Sequence, residues 1–159
     1  MTKPIPLNSR YLCTMRIRVS DSYIMNDVPT GERRRIDIFN GGEVEGPLLR
    51  GIILPGGSDT LLTRNDSSLT PSVRLVIKTD DEALILVRYK GVRHGPPEVM
   101  ERIANGMNVE PSEYYLRNTP FFETIRAHAF RYVIFSSSRR ILSIVERHRG
   151  KFQVSLDFL

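Results

Sequence analysis

The sequence predicts an all-β protein, a small antiparallel β-barrel with one short helix, and three observations predict it. Apolar and polar residues alternate over short segments along much of the chain, which is the period of a strand with one wet face. Glycine and proline interrupt those segments at short intervals, as the connections of an antiparallel sheet require. The long helical crossovers that join parallel strands are missing.

The first strand is read from Cys13, Met15, Ile17 and Val19, separated by Thr14, Arg16 and Arg18. Arg35 to Phe39 and Leu48 to Leu54 suggest the next two, with Asn40-Gly41-Gly42 and Pro55-Gly56-Gly57 read as turns where glycine permits positive φ. Val73, Leu75 and Ile77 alternate with Arg74 and Lys78, and the apolar run Ala83 to Val87 follows after Thr79-Asp80-Asp81-Glu82. Residues 73 to 89 therefore read as a β-hairpin.

One helix is expected from Pro96 to about Asn105: Pro96 and Pro97 suit a first turn, Glu98 suits the positive end of the helix dipole, and Gly106 can end it. Strands follow at Arg131 to Ser137, Ile141 to Glu146 and Phe152 to Phe158, the last with Phe152, Val154, Leu156 and Phe158 on one face. His148-Arg149-Gly150-Lys151 reads as the turn before it. A total of about seven or eight strands favours a barrel or sandwich, and closure removes adhesive sheet edges.

A chain of 159 residues is the size of one domain, so residues 1–159 are read as a single β-barrel. With 40% hydrophobic and 26% charged residues, disordered, collagen-like and disulfide-scaffold classes are disfavoured. Cys13 is the only cysteine, which excludes an internal disulfide and any thiolate cluster. Lone cysteine, no signal-peptide core and no long apolar window together suggest a cytoplasmic protein that does not cross a membrane.

The net charge of +5 would favour anionic partners if it were gathered on one face. Arg33-Arg34-Arg35, Arg139-Arg140 and Arg147-His148-Arg149 are short and scattered, and they read as solvated edges. They lack the interleaved aromatic platform of single-strand binders, so nucleic acid is not the expected partner.

No P-loop, dinucleotide fingerprint, HExxH or GxSxG is present. His94, His128 and His148 lack metal-ligand spacing, and neither a metal nor an organic cofactor is expected.

An ordered series of blocks carries a more specific signal: GGEVEGPLLRG at 41–51, LPGGSD at 54–59, KGVRHGPPEV at 90–99 and EYYLRNTPFFET at 113–124. They closely resemble the family catalogued as domain of unknown function 3237, whose members carry GG(x)FEGP, PGGADW, G-R-x-GPP and YYFR blocks followed by PxFET. The match runs from about Leu12 to Phe130. The resemblance implies a small, calycin-like β-barrel and cofactor-free cyclisation in fungal aromatic polyketide biosynthesis, in which a phenol oxygen adds across an alkene (hydroalkoxylation). Thr60 stands where the family usually has tryptophan, and Phe130-Arg131-Tyr132 where it carries WLN. Those departures imply a rebuilt pocket wall and a differently shaped ligand.

Glu123 follows Phe121-Phe122, so burial against the rings would keep it protonated as a general acid; the alternative is an ion pair with Arg117 or Arg126. Asp59 follows two glycines, where it either projects into the barrel mouth or accepts turn N–H bonds. Glu45 sits in a strand bend beside Gly46-Pro47, in a structural or a ligand-facing role. Arg117 and Arg93 are candidate donors to a phenolate or carbonyl oxygen, or structural ion-pair partners.

Tyr114, Tyr115, Phe121 and Phe122 form an aromatic cluster suited to a flat ligand, with Phe130 on the rebuilt wall. The resulting expectation is a cofactor-independent cyclase acting on a prenylated phenolic substrate: Glu123 or Asp59 as acid, Arg117 and Arg93 orienting the phenol. The rival reading is a non-catalytic barrel that carries a hydrophobic or aromatic metabolite. Assembly into a homo-oligomer stays open.

Overall fold

The computed structural model describes residues 10–26, 29, 32–124, 142–148 and 151–158. Among the described residues nine strands and one α-helix follow in order: β1 (Arg10–Met25), β2 (Arg33–Glu45), β3 (Gly51–Thr63), β4 (Leu69–Thr70), β5 (Ser72–Thr79), β6 (Leu84–His94), α1 (Pro97–Ala104), β7 (Tyr115–Thr124), β8 (Leu142–His148) and β9 (Lys151–Phe158). Every pairing among the described residues is antiparallel. β1 pairs with β2 on one side and β9 on the other, and the chain of pairings through β3, β5, β6, β7 and β8 returns to β9. The sheet therefore closes on itself as a barrel, with the two-residue β4 wedged between β3 and β6.

Alternation sorts the side chains as the sequence predicts. Met15 and Ile17 of β1, Val73, Leu75 and Ile77 of β5, and Ile85, Val87 and Tyr89 of β6 are all buried in one core cluster. Each such side chain contributes about 1.5–3 kcal/mol of hydrophobic stabilisation when fully buried. In β9, Phe152, Val154 and Leu156 stand in register with Ile17, Met15 and Cys13 of β1. The expected 73–89 hairpin is present as β5 and β6, and its turn is fixed by the Thr79 N–H bonding to the Ala83 carbonyl at 2.9 Å.

Two expected turns are not turns. Asn40-Gly41-Gly42 lies inside β2, and Pro55-Gly56-Gly57 lies inside β3 as a bulge between Ile53 and Ser58. Gly56 takes φ +97°, and a Cβ on Gly57 would sit 2.9 Å from the Arg74 carbonyl oxygen, so the backbone there bends and stays close to β5. The strand expected at 48–54 accordingly begins at Gly51 and runs on to Thr63. The strand expected at 131–137 lies outside the described residues.

The helix matches its expected span. Val99, Met100 and Ile103 are its buried face, and Val109 and Tyr114 of the following segment pack against them. This second, smaller cluster lies over one end of the barrel.

Candidate functional site

The barrel interior is filled unevenly. Between the main core and the α1 cluster lies a cavity of about 50 Å³ with an apolar lining and a few polar groups. Ile17, Phe39 and Tyr89 form its floor, being shared with the main core. Ile103, Met107, Val109 and Tyr114 form its roof, and Leu61, Leu69, Pro71 and Leu116 line its sides. Three polar residues, Asp59, Arg93 and Asn118, complete the wall.

Asp59 is 5% exposed. It faces inward because β3 carries two extra residues relative to β5 between the Ile53–Ile77 and Asp59–Val73 pairs, and an even insertion keeps the same face inward. Its Oδ1 accepts the Ser72 N–H at 2.9 Å. Burial pushes its carboxyl up to about 6 and the nearby Asp37 carboxylate acts in the same direction, against the Ser72 hydrogen bond and the guanidiniums of Arg35 and Arg93.

Asp37, which the sequence reading missed, stands directly opposite Asp59 across β2 and β3 and is 2% exposed. Its two oxygens are satisfied by the Ser22 hydroxyl at 2.6 Å and the Arg35 guanidinium at 2.9 Å. Asp37 thus has a partner for each oxygen, while burial leaves Asp59 poised to carry a proton. Tyr89, buried at the cavity floor, has its phenol raised by burial and by the Asp59 charge, so it stays neutral. Local alternation misleads at Asp37: Ile36-Asp37-Ile38 reads with the isoleucines inward, whereas Asp37 and Phe39 are the buried residues and Ile36 and Ile38 are half-buried.

Of the residues expected at the site, Asp59, Arg93 and Tyr114 meet around this cavity. Glu123 does not. It lies on the outer face of β7, where Arg88 Nη2 reaches its Oε2 at 3.2 Å, and its side chain is 58% exposed. The preceding Phe122 points the opposite way into the core, so its ring cannot shield the Glu123 carboxylate.

Glu45 is likewise outside, paired with Arg16 at 2.7 Å. Arg117 donates to the Leu116 carbonyl at 2.7 Å and lies over the Tyr115 ring, 5.2 Å from its centroid. Tyr115 is exposed and stacks obliquely with His94. Phe121 is exposed beneath the Arg88 guanidinium. The expected aromatic cluster is therefore split by the pleat, with Tyr114 at the cavity, Phe122 in the core, and Tyr115 and Phe121 outside. Phe130 lies outside the described residues.

Among the described residues no three of His, Cys, Asp and Glu converge to hold a metal ion. The Cys13 thiol is buried and pushed up to about 12 by that burial, which makes it a packing group. No helix among the described residues is long and apolar enough to cross a membrane.

Comparison with known proteins places these observations in context. The profile described as protein of unknown function (DUF3237) matches residues 7–140. A UPF0311 protein of Rhodopseudomonas palustris is 35% identical over 118 residues, 74% of this chain and 76% of that one. Its crystal structure, described as that of a conserved protein of unknown function, superposes with a TM-score of 0.87, covering 98% of this chain and 99% of the other. A protein of Acinetobacter baumannii described as β-barrel like aligns with a TM-score of 0.80 at 25% identity over 99% of both chains. An enzyme from Penicillium herquei shares the fold with a TM-score of 0.68 at 15% identity, covering 100% of this chain and 99% of that one.

Proposed function

The chain belongs to the DUF3237 family, and from that premise we propose that it is a cofactor-independent enzyme that closes a cyclic ether on a prenylated phenolic substrate. The observation that carries this reading is Asp59: a buried carboxyl, raised to about 6, at the wall of an apolar cavity. An acid that holds its proton up to about pH 6, away from bulk water, is what alkene protonation needs.

In the proposed reaction the Asp59 proton goes to the less substituted alkene carbon and positive charge develops at the tertiary carbon. The phenol oxygen attacks that carbon, and the phenol proton returns to the Asp59 carboxylate. One C–O and one C–H bond form, the alkene π bond and the O–H bond break, and the mass of the ligand is unchanged. Arg93 orients the phenol oxygen with its fixed fork of donors, while the ring faces of Phe39 and Tyr89 stabilise the developing charge. The inner cavity takes the alkene end; the aromatic body rests in a wider depression that shares Leu61, Leu69 and Arg93 with it.

The test is incubation of the purified protein with an ortho-prenylated phenol, following by NMR the loss of the vinylic proton at constant mass. Enzyme-dependent ether formation supports the reading. Binding of the phenol with no conversion would instead identify a carrier, the rival that needs no acid.

A further inference from the structure

The depression outside the cavity has a charge pattern that ether formation does not require. Arg33, Arg34 and Arg35, consecutive at the start of β2, line it together with Arg93, around a volume of about 420 Å³. Among the described residues Glu101 of α1 is the one acidic residue in that lining. Arg35 is committed to Asp37, and Arg93 stands at the neck shared with the inner cavity. Among the described residues neither Arg33 nor Arg34 is in an ion pair.

Placing several arginines around one concavity costs Coulomb energy that salt only partly screens. A compact oxyanion seated between them removes that repulsion and gains charge-assisted, forked hydrogen bonds. The volume is that of a small-molecule site. Because the depression adjoins the apolar cavity and shares Leu61, Leu69 and Arg93 with it, an anion bound there would belong to a molecule whose other end is apolar.

We propose that Arg33 and Arg34 form an anion subsite, so that the natural ligand is an amphipathic aromatic compound with an oxyanion, such as a carboxylate, at the end remote from Asp59. This rests on the cavity being a ligand site, and it goes further by defining the ligand's charge and its direction of entry. The bland alternative, that the arginine run is a solvated strand edge, predicts no preference for anionic ligands.

The experiment compares two fluorescent probes that share one aromatic body: neutral N-phenyl-1-naphthylamine and its sulfonate, 8-anilinonaphthalene-1-sulfonate. The wild-type protein should bind the sulfonate roughly tenfold more tightly than the neutral dye. The Arg33→Gln, Arg34→Gln double variant should abolish that preference while leaving the neutral dye's affinity unchanged, and Arg74→Gln on the exposed face of β5 should alter neither. Circular dichroism checks that each variant is folded; if the double variant is not, each single change should remove part of the preference. Neutral-dye binding without a sulfonate preference, or a preference that survives the double change, overturns the anion subsite and leaves the cavity reading standing. Binding of neither dye overturns both.

Discussion

Asp59 and Glu123 carry the same functional group on walls of the same barrel, and their surroundings are opposite. Asp59 is inside, hydrogen-bonded to one backbone N–H and facing a second carboxylate across the strand pair. Glu123 is outside, in water, beside a guanidinium. The inner face of the wall drives one carboxyl toward its neutral form while the outer face leaves the other in water, and only the first is placed to hold a transferable proton. The difference teaches that in a closed barrel the face a residue occupies decides its chemistry before its neighbours in sequence do.

The sharpest way to break this comparison is Asp59→Asn, which keeps the shape and an acceptor for the Ser72 N–H but removes the proton. Turnover in the ether-forming assay should fall by roughly 10² to 10⁴, with the β-sheet circular dichroism signal retained. An active Asp59→Asn protein would remove Asp59 from the mechanism.

The packed part of the barrel sets the scale for a purely structural change. Ile77 is fully buried in the main core and does not line the cavity. Ile77→Ala should cost about 2–5 kcal/mol in chemical denaturation, and any activity lost should track the folded fraction. A specific turnover defect in fully folded Ile77→Ala protein would mean that the core and the site are not separable.

How much of this was legible in the sequence depends on parity. Val73, Leu75 and Ile77 lie on an uninterrupted strand, and alternation alone assigns their faces correctly. The same reasoning fails where strands bulge: Pro55-Gly56-Gly57 reads as a turn because glycine and proline suit both, and only the register with β5 distinguishes them. Glu123 reads from the sequence as a neighbour of two phenylalanines, yet residues adjacent along a strand face opposite ways. Its true cross-strand partner is Leu86, one residue from the Val87 that faces Phe122. Asp37 opposite Asp59 is a contact between β2 and β3 that no local pattern encodes.

The pH dependence of stability gives a smaller effect. The folded carboxyl of Asp59 titrates at about 6 against an ordinary value of 3.8, so between those values the folded chain holds a proton that the unfolded chain has released. Stability should therefore fall as pH rises through that window, by roughly 3 kcal/mol in all, and change no further from this group above it. Asp59→Asn should lack this component, so the difference between variant and wild type across denaturation curves isolates it. A difference that stays flat from about pH 4 to pH 7 would mean that Asp59 is ionised throughout. Turnover that depends on its proton should likewise decline above about 6.

The smallest expected effect is the other half of the comparison. Glu123→Gln removes one partner of an ion pair whose two side chains are 53% and 58% exposed, a setting in which water solvates each charge nearly as well as the partner does. Such pairs contribute about 0.2–1 kcal/mol, so the melting temperature should drop slightly, by less than for Ile77→Ala, and more at low than at high salt. Arg88 retains its contact with the Phe121 ring, 5.2 Å from the centroid, which limits the loss further. Turnover should be unchanged, because the side chain reaches neither the cavity nor any residue that lines it. A large loss of turnover in stable Glu123→Gln protein would reverse the assignment of the two carboxylates and require the ligand to bind on the outer wall, over Phe121 and Tyr115. The decisive measurement is therefore turnover and thermal unfolding on the same Glu123→Gln preparation, read beside Asp59→Asn: Asp59→Asn should lose activity without losing stability, and Glu123→Gln should keep both almost intact.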